Sequence, residues 1–401
     1  MFARLLRRRE VLLFAAVAIP ARAQTPITRD QAIARALTRS PQLALSAADT
    51  SAASAEVRAA RAFPNPTISL GYSGAVPRLQ ALLNVPIDAP WIRDPRTRAA
   101  DLADTSARLR FAFERASLAF DVDTIYTRVL AARSLAALSS RSAAASDTLV
   151  QLARTRRDAG DASDLEVELA TVSAGTQHGL AADDSLGAVH ALLDLQLLLG
   201  LSAERVELAP ADSLTVPSAE GDGDPGTPLP VAAAQATLAS ERQRVDLERR
   251  TTIGAPTLTG GVEGNDPTGV ENGPLAVLGI SWPLPIFNQN GAGVARATAD
   301  VERASAQLDV VQMGTTRAIA RAHRELEFAR QRVRRDQETL ASANRVSAMS
   351  VTAYREGAAT LPSVIEAQRS AREQLARYIG DLAAAANASA SVRLLTLSVP
   401  R

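Results

Sequence analysis

The most constraining feature of the sequence is a pair of very long stretches with helical hydrophobic spacing. Leu102 and Leu109 lie seven residues apart in the first stretch, which covers residues 98–158. A seven-residue repeat that includes Ile319 lies in the second, at residues 291–355. A helix of roughly 60 residues extends about 90 Å, several times the diameter of a small domain. The sequence therefore predicts an elongated structure.

Each long stretch ends in a glycine turn that is followed by another helical stretch. Gly160 and Gly357 are suited to the left-handed position that ends a helix. Ser163 and Thr360 are good N-cap residues for the returning helices. The returning helices are predicted at residues 163–200 and 361–395. From the helices alone, an ordinary antiparallel coiled-coil hairpin is the simplest interpretation.

The composition agrees with thin helical layers better than with several thick cores. Hydrophobic residues make up 46% of the 401 residues, but aromatic residues make up only 3%. Aromatic side chains provide the largest buried areas in compact cores, whereas alanine, common in this chain, favours helices. The absence of cysteine excludes disulfide frameworks, thiolate zinc sites and cysteine nucleophiles.

The remaining polar residues form no recognisable chemical site. His178, His190 and His323 each stand alone, without a second ligand type at metal-binding spacing. There is no glycine-rich phosphate loop and no recognisable pairing of a nucleophile with a base. A net charge of +1 does not indicate the strongly basic surface that is typical of nucleic-acid-binding proteins. We therefore predict a protein that is not an enzyme and has no cofactor, no metal site and no nucleic-acid partner.

The first 23 residues have the three parts of a secretory signal peptide. Arginines within residues 4–9 precede an apolar run at residues 11–19, and a small-x-small cleavage site lies at residues 21–23. A transmembrane anchor is the competing interpretation, but the apolar run is about half of the roughly 20 residues that a spanning helix needs. Three consecutive arginines leave twin-arginine export open beside the general route. We expect an exported, cleaved chain that is not lipidated.

An internal repeat divides the chain into two similar halves. Residues 63–68 recur in outline as residues 253–258, and Gly160 recurs as Gly357 after an offset of 197. At this length, the repeat indicates duplication of a whole half rather than a solenoid. The predicted organisation is a signal peptide at 1–23, a first repeat at 24–206, a linker rich in Pro, Gly, Asp and Ser at 207–230, and a second repeat at 231–401.

Each half also contains two short stretches in which apolar and polar residues alternate, which is typical of strands with one apolar face. Strands are predicted at about 66–73, 79–88, 256–263 and 276–284. The apolar faces are predicted to include Ile68, Leu70, Tyr72, Leu83, Val85, Leu278, Ile280 and Trp282. A soluble sandwich alternates in the same way, so the strands alone do not decide between water and lipid.

The combination of strands and long helices favours an assembly of several copies. Four strands cannot close a barrel, and the hairpins have no other sheet to join within the chain. Three copies supply twelve strands, inside the range of outer-membrane barrels, with the apolar faces toward lipid. The predicted fold is mainly α with a small transmembrane β part: a trimeric α/β-barrel channel-tunnel, in which a 12-stranded barrel continues into a 12-helix periplasmic tunnel.

Several motifs resemble those of one family. The strand-to-helix junction at residues 280–291 reads ISWPLPIFNQNG, and it resembles the corresponding junction of TolC-like outer membrane efflux proteins. The resemblance is greatest to the channels that serve heavy-metal exporters of the resistance-nodulation-division type. Residues 354–368 are similar to the family's second hairpin, and residues 159–167 to its first. The resemblance extends, in order, over nearly the whole mature chain.

The resemblance implies a homotrimeric exit duct in the cell outer membrane, with its tunnel in the periplasm. Such a duct is passive, and it releases metal cations or drugs that an inner-membrane resistance-nodulation-division pump delivers through a periplasmic membrane fusion adaptor. Outer membrane lipid surrounds the barrel. The expected adaptor contacts at the periplasmic tip are Gly160, Ser163, Gly357 and Thr360. The alternative is a periplasmic adaptor or structural coiled-coil protein.

The resemblance also assigns roles at the tip. Tyr354 matches the family's gating tyrosine, and Glu366 matches an inner ring of acidic residues in the lumen. The family's outer acidic position is Ser363 in this chain, and its basic tip position is Ala359. Glu166 aligns with Ser363 through the 197-residue offset, so it is predicted to restore an acidic ring. A plain helix-surface carboxylate is the competing interpretation of Glu366.

Overall fold

The computed structural model describes residues 25–74, 78–201, 208–215, 226–264 and 273–399. The predicted signal peptide, the tips of both strand hairpins and part of the predicted linker lie outside these ranges. The helices are α1 (Arg29–Arg39), α2 (Pro41–Arg61), α3 (Pro90–Asp158), α4 (Asp164–Leu198), α5 (Leu229–Thr251), α6 (Gly291–Arg355) and α7 (Leu361–Thr396). The strands are β1 (Thr25–Ile27), β2 (Thr67–Tyr72), β3 (Leu79–Pro86), β4 (Leu208–Pro210), β5 (Thr227–Pro228), β6 (Thr257–Gly264), β7 (Leu275–Ser281) and β8 (Ser398–Val399).

The longest helix, α3, begins eight residues before the start predicted from its hydrophobic spacing. Pro90 is favourable at the first turn, because its fixed φ suits a helix and its missing N–H has no helical partner there. Pro95 lies inside the helix and lacks a donor for the helical ladder. Polar contacts hold these first turns, since Arg96 donates to both carboxylate oxygens of Asp88 at 2.9 Å. Arg93 lies 3.3 Å from the same carboxylate.

The two long helices end in the same kind of glycine turn. Gly160 has a φ of +84°, and its N–H donates to the carbonyl of Arg157 at 2.9 Å. The next N–H, that of Asp161, donates to the carbonyl of Arg156 at 2.8 Å, which completes a Schellman motif. Gly357, with a φ of +76°, ends α6 with the equivalent pair of bonds. Each turn reverses the chain into the next long helix.

Four strands form one antiparallel sheet in the order β2-β3-β6-β7. The register aligns Ile68, Leu83, Gly260 and Leu278 across the sheet, and residues directly opposite each other share a face. This face is apolar and exposed; Leu278 is 89% exposed. In the single chain the sheet is open, with β2 and β7 at its edges. The predicted twelve-stranded barrel requires three copies and is not formed by one chain.

The opposite face of the sheet is mixed, and its polar side chains form hydrogen bonds between strands. Asn84 on β3 donates through Nδ2 to Ser69 Oγ on β2 at 3.1 Å, and it accepts from Thr259 Oγ1 on β6 at 2.8 Å. Gln80 lies 3.5 Å from Glu263 on the neighbouring strand. The sheet therefore separates one apolar surface from one hydrogen-bonding surface.

The helices continue the order of the strands. Next to the sheet, α2 packs on α3, α3 on α5, and α5 on α6, as their attached strands do. Farther along, α4 packs on α3, α3 on α7, and α7 on α6. The buried residues form several small clusters along these helix seams rather than one thick core. None of the helices in the described ranges combines the length and hydropathy that a membrane crossing requires.

The predicted linker contains two short paired strands. Strand β4 pairs in parallel with β1 near the start of the described chain, and β5 pairs with β8 near its end. The Tyr126 hydroxyl lies 2.8 Å from the Asp212 carboxylate and 2.9 Å from the Ile27 carbonyl. The Arg29 N–H donates to the same carboxylate at 2.7 Å. These bonds attach the segment between the two halves to α3.

Candidate functional site

The candidate site lies where the two glycine turns meet. Tyr354, one turn before Gly357, is completely buried. It belongs to an apolar cluster that joins α3 and α4 to α6 and α7. The other buried members of this cluster are Leu149, Val150, Ala153, Val167, Ala170, Ala174, Leu361 and Val364. The two helical hairpins are therefore packed together at this end of the molecule.

A hydrogen bond inside this contact connects the hairpins. The Tyr354 hydroxyl donates to Glu166 Oε2 at 2.8 Å. Glu166 lies in the first turn of α4, where its backbone N–H donates to the N-cap hydroxyl of Ser163 at 3.3 Å. The positive end of the helix dipole favours a carboxylate at this position. Glu166 is thus fixed in place as an acceptor for the tyrosine.

Arg156, on α3, supplies the positive charge of the site. Its guanidinium lies 4.6 Å from the centre of the Tyr354 ring, within range of a cation–π interaction. It also donates to the Tyr354 carbonyl at 2.8 Å and to the Asp161 carbonyl at 3.2 Å. Ala359, at the position that the resemblance makes basic, instead packs against the apolar cluster. The cation that contacts the Tyr354 ring therefore comes from the first hairpin.

The tyrosine is held in its neutral form. Burial, followed by the hydrogen bond to Glu166, raises the pKa of Tyr354 to about 12, although Arg156 opposes this shift. The hydroxyl consequently remains a donor to a higher pH than that of an ordinary tyrosine. The site can act as a latch, by which we mean the contact of Tyr354, Glu166 and Arg156. Its chemistry is non-covalent attachment of one hairpin to the other.

Glu366 lies apart from the latch. Its side chain is exposed on α7, and Arg369 donates to it at 3.0 Å from one turn farther along the helix. This hydrogen bond lowers the pKa of Glu366. The structure thus places the two predicted ring carboxylates differently: Glu166 binds the tyrosine, and Glu366 is in a surface ion pair. A ring of either residue requires copies of the chain.

The four predicted tip residues are all exposed: Gly160, Ser163, Gly357 and Thr360. The Ser163 side chain caps its helix, whereas Thr360 occupies the N-cap position of α7 without a side-chain hydrogen bond. Because Arg156 and Tyr354 are in contact, both turns lie at the same end of the molecule. Together they form a polar, glycine-containing surface beside the latch.

The eight predicted apolar-face residues are all exposed in the single chain. Trp282 differs from the rest, because β7 ends at Ser281, the residue before it. Its ring stacks on Trp91 with 6.2 Å between centroids, and its Nε1 donates to the Ile253 carbonyl at 2.8 Å. Trp282 therefore belongs to the junction between sheet and helices rather than to the strand itself.

The raised pKa of Tyr354 predicts a loss of stability at high pH. The folded state favours the neutral phenol, so this contribution is complete below the ordinary tyrosine pKa of 10.0 and is lost as pH rises toward about 12. We expect the thermal midpoint of the wild-type protein to fall more between pH 10 and 12 than that of Tyr354→Phe, measured by circular dichroism. Equal decreases in both proteins would contradict this.

Comparison with known proteins identifies the relatives of this chain. Residues 229–396 match the family described as outer membrane efflux protein. The cobalt-zinc-cadmium resistance protein CzcC of Cupriavidus metallidurans is 24% identical over 372 residues, which cover 90% of this chain and 88% of CzcC. The pyoverdine export outer membrane protein OpmQ of Pseudomonas aeruginosa is 28% identical over 257 residues, or 61% of this chain and 53% of OpmQ.

A solved structure extends the likeness to the whole fold. The outer membrane protein VceC from Vibrio cholerae superposes with a TM-score of 0.76 at 15% identity, covering 92% of this chain and 96% of VceC. The family match includes the junction at residues 280–291, and it confirms the resemblance that this junction indicates. The chain therefore has the fold of VceC, and its residues 229–396 match the outer membrane efflux protein family.

Proposed function

We propose that this protein is the outer membrane channel of a tripartite efflux system, a passive exit duct without catalytic groups. One observation supports this most directly: the sheet has one continuous, exposed apolar face, and its strands continue into helices of 69 and 65 residues. A face of this kind is stable against lipid and costly in water. The helices are long enough to extend well beyond a bilayer.

The proposed channel is a homotrimer. Each chain would supply four strands, and pairing the β7 edge of one copy with the β2 edge of the next would close twelve strands into a barrel. The hydrogen-bonding face with Asn84 would then line water, and the face with Leu278 would contact outer membrane lipid. The helices of the three copies would enclose a periplasmic tunnel.

Two observations favour this function over a periplasmic adaptor or a structural coiled-coil protein. Each long helical hairpin follows a pair of strands, and all four of these strands join one sheet. An adaptor is expected to have a single hairpin within β-rich domains. The match of residues 229–396 to the outer membrane efflux protein family is a second, independent argument for the channel.

The exported compounds are proposed to be metal cations or small organic molecules. The names of CzcC and OpmQ refer to cobalt, zinc and cadmium resistance and to pyoverdine export, respectively. An inner-membrane pump of the resistance-nodulation-division type would select among such compounds, and a periplasmic adaptor would connect it to the channel. We propose that the adaptor contacts the two glycine turns and that the latch beside them holds the tip closed.

Fractionation of cells tests the proposed function. We expect the protein in the outer membrane fraction, released by detergent as a trimer, and conducting ions after reconstitution into planar bilayers. Release of a non-conducting protein with the periplasmic fraction would instead support the adaptor alternative.

Ion selectivity tests the proposed acidic ring. In a threefold assembly, each carboxylate becomes three charges around one axis, which attract cations into the lumen. We expect the cation-to-anion permeability ratio of the Glu166→Gln, Glu366→Gln double variant to fall toward unity in single-channel recordings. Glu325→Gln, which removes an exposed ion-paired carboxylate from α6, is the control and should retain wild-type selectivity. Unchanged selectivity in the double variant would refute the ring.

A further inference from the structure

A basic groove of about 320 Å³ lies where the four long helices meet, apart from the latch. Helices α3 and α7 supply most of its lining, and α4 and α6 supply the rest. Three arginines line it, Arg141, Arg369 and Arg372, together with hydroxyl and amide side chains. No Asp or Glu belongs to the lining that the described residues form. Such a lining suits an anion rather than a cation.

Two of the three arginines are incompletely matched by carboxylates, whereas Arg369 pairs with Glu366 at 3.0 Å and lies 3.9 Å from Glu373 on its own helix. Arg372 is largely buried, with its Nη2 3.1 Å from Ser139 Oγ and 3.4 Å from Asp184. Its Nε is also buried and has no hydrogen-bond partner in the part of the chain that the structure describes. Arg141 donates to the Ala137 carbonyl of its own helix at 3.2 Å, and it makes no ion pair within the described part of the chain. A buried N–H without an acceptor is unfavourable, so an acceptor in the groove would relieve this cost.

One further group in the lining is an acceptor. Gln177 Oε1 is buried, and none of the described residues donates a hydrogen bond to it. A fully deprotonated oxyanion has no donor for this atom, whereas an oxyanion with an O–H has one. We propose that the groove binds a protonated oxyanion of the phosphate class. Arg141 and Arg372 Nε would donate to its oxygens, and Gln177 Oε1 would accept its proton.

Inorganic phosphate, phosphate monoesters and phosphate diesters share the phosphate group. They differ in whether an O–H group is present near neutral pH. Inorganic phosphate retains a hydroxyl near neutral pH, whereas phosphate monoesters are then mostly dianions without one. Sulfate and phosphate diesters, the linkage in lipid headgroups, have no hydroxyl either. The proposed site should therefore prefer inorganic phosphate over sulfate and over dimethyl phosphate. Because the groove lies within one chain, this inference is independent of trimer formation and of the proposed channel function.

Isothermal titration calorimetry on the detergent-solubilised full chain tests the proposal, with sodium chloride holding the ionic strength constant. We expect one saturable phosphate site per chain and weaker binding of sulfate and dimethyl phosphate. Arg141→Gln should raise the Kd for phosphate about tenfold, since it removes a charge-assisted donor. Arg154→Gln, which removes another exposed arginine from the same helix, is the matched control and should leave the Kd unchanged.

Three results would overturn the proposal. The first is the absence of saturable binding at matched ionic strength. The second is an equal loss of affinity in Arg154→Gln and Arg141→Gln. The third is sulfate binding as tight as phosphate binding, which would remove the role of Gln177. Bilayer conductance of the same preparation reports the channel function separately.

Discussion

Leu70→Arg is expected to abolish assembly of the protein in the outer membrane. Leu70 lies in β2 on the apolar face of the sheet and is 79% exposed in the single chain. An arginine on the lipid face of a membrane barrel costs about 2–4 kcal/mol near the bilayer midplane. A trimer would contain this change three times. We expect the trimer to be absent from the outer membrane fraction in gel electrophoresis of unheated samples.

The neighbouring residue provides a matched control. Ser69 lies in the same strand on the opposite, hydrogen-bonding face, where its hydroxyl accepts from Asn84. Ser69→Arg introduces the same side chain at the same depth but directs it away from the apolar face. Ser69→Arg should remove only the exposed hydrogen bond with Asn84, so the trimer should still form. Equal trimer yields from Leu70→Arg and Ser69→Arg would contradict a lipid contact for this face.

The two faces of the sheet could be predicted from the sequence, because the alternation of side chains between faces is visible within each strand alone. Alternation within β2 assigns Ile68 to one face and Ser69 to the other without any knowledge of the neighbouring strands. The register then places Leu83 directly opposite Ile68, as two apolar residues of one face. The start of α3 was harder to predict, since Pro95 ordinarily indicates a helix end and the contacts of Asp88 hold the turns around it.

The latch could not be derived from local patterns. Tyr354 binds Glu166, which lies 188 residues earlier, and the backbone of Tyr354 binds Arg156, which lies 198 residues earlier. Nothing in the sequence distinguishes Arg156 from the neighbouring Arg157. The 197-residue offset aligned Glu166 with the family's outer acidic position. It therefore predicted a ring of carboxylates and not a hydrogen bond to the tyrosine. The Glu366–Arg369 pair, in contrast, follows from a three-residue spacing on one helix.

Gly357→Val is expected to abolish efflux without lowering the trimer yield. Gly357 has a φ of +76°, a left-handed conformation that strains a β-branched residue by about 1–3 kcal/mol. Two bonds of the Schellman motif depend on this conformation, including the one from the Gly357 N–H to the Tyr354 carbonyl at 3.1 Å. The substitution should therefore reshape the tip where the adaptor is proposed to bind. Minimum inhibitory concentrations of exported metals or drugs provide the measurement.

Gly357→Asn is the control variant. It replaces the glycine but should keep the left-handed conformation of the turn, so it distinguishes an effect of turn shape from an effect of losing glycine. Asparagine tolerates the left-handed region, so this variant should keep the Schellman motif and most of the resistance. A side chain added at this position would meet Arg156 Nη2 at 3.8 Å, an ordinary contact, so neither variant is blocked by a clash. Both changes lie at the opposite end of the long helices from the sheet, where strand pairing is proposed to hold the trimer. Full resistance in Gly357→Val would refute a role for this turn in adaptor contact, because efflux would then not depend on the conformation of the turn.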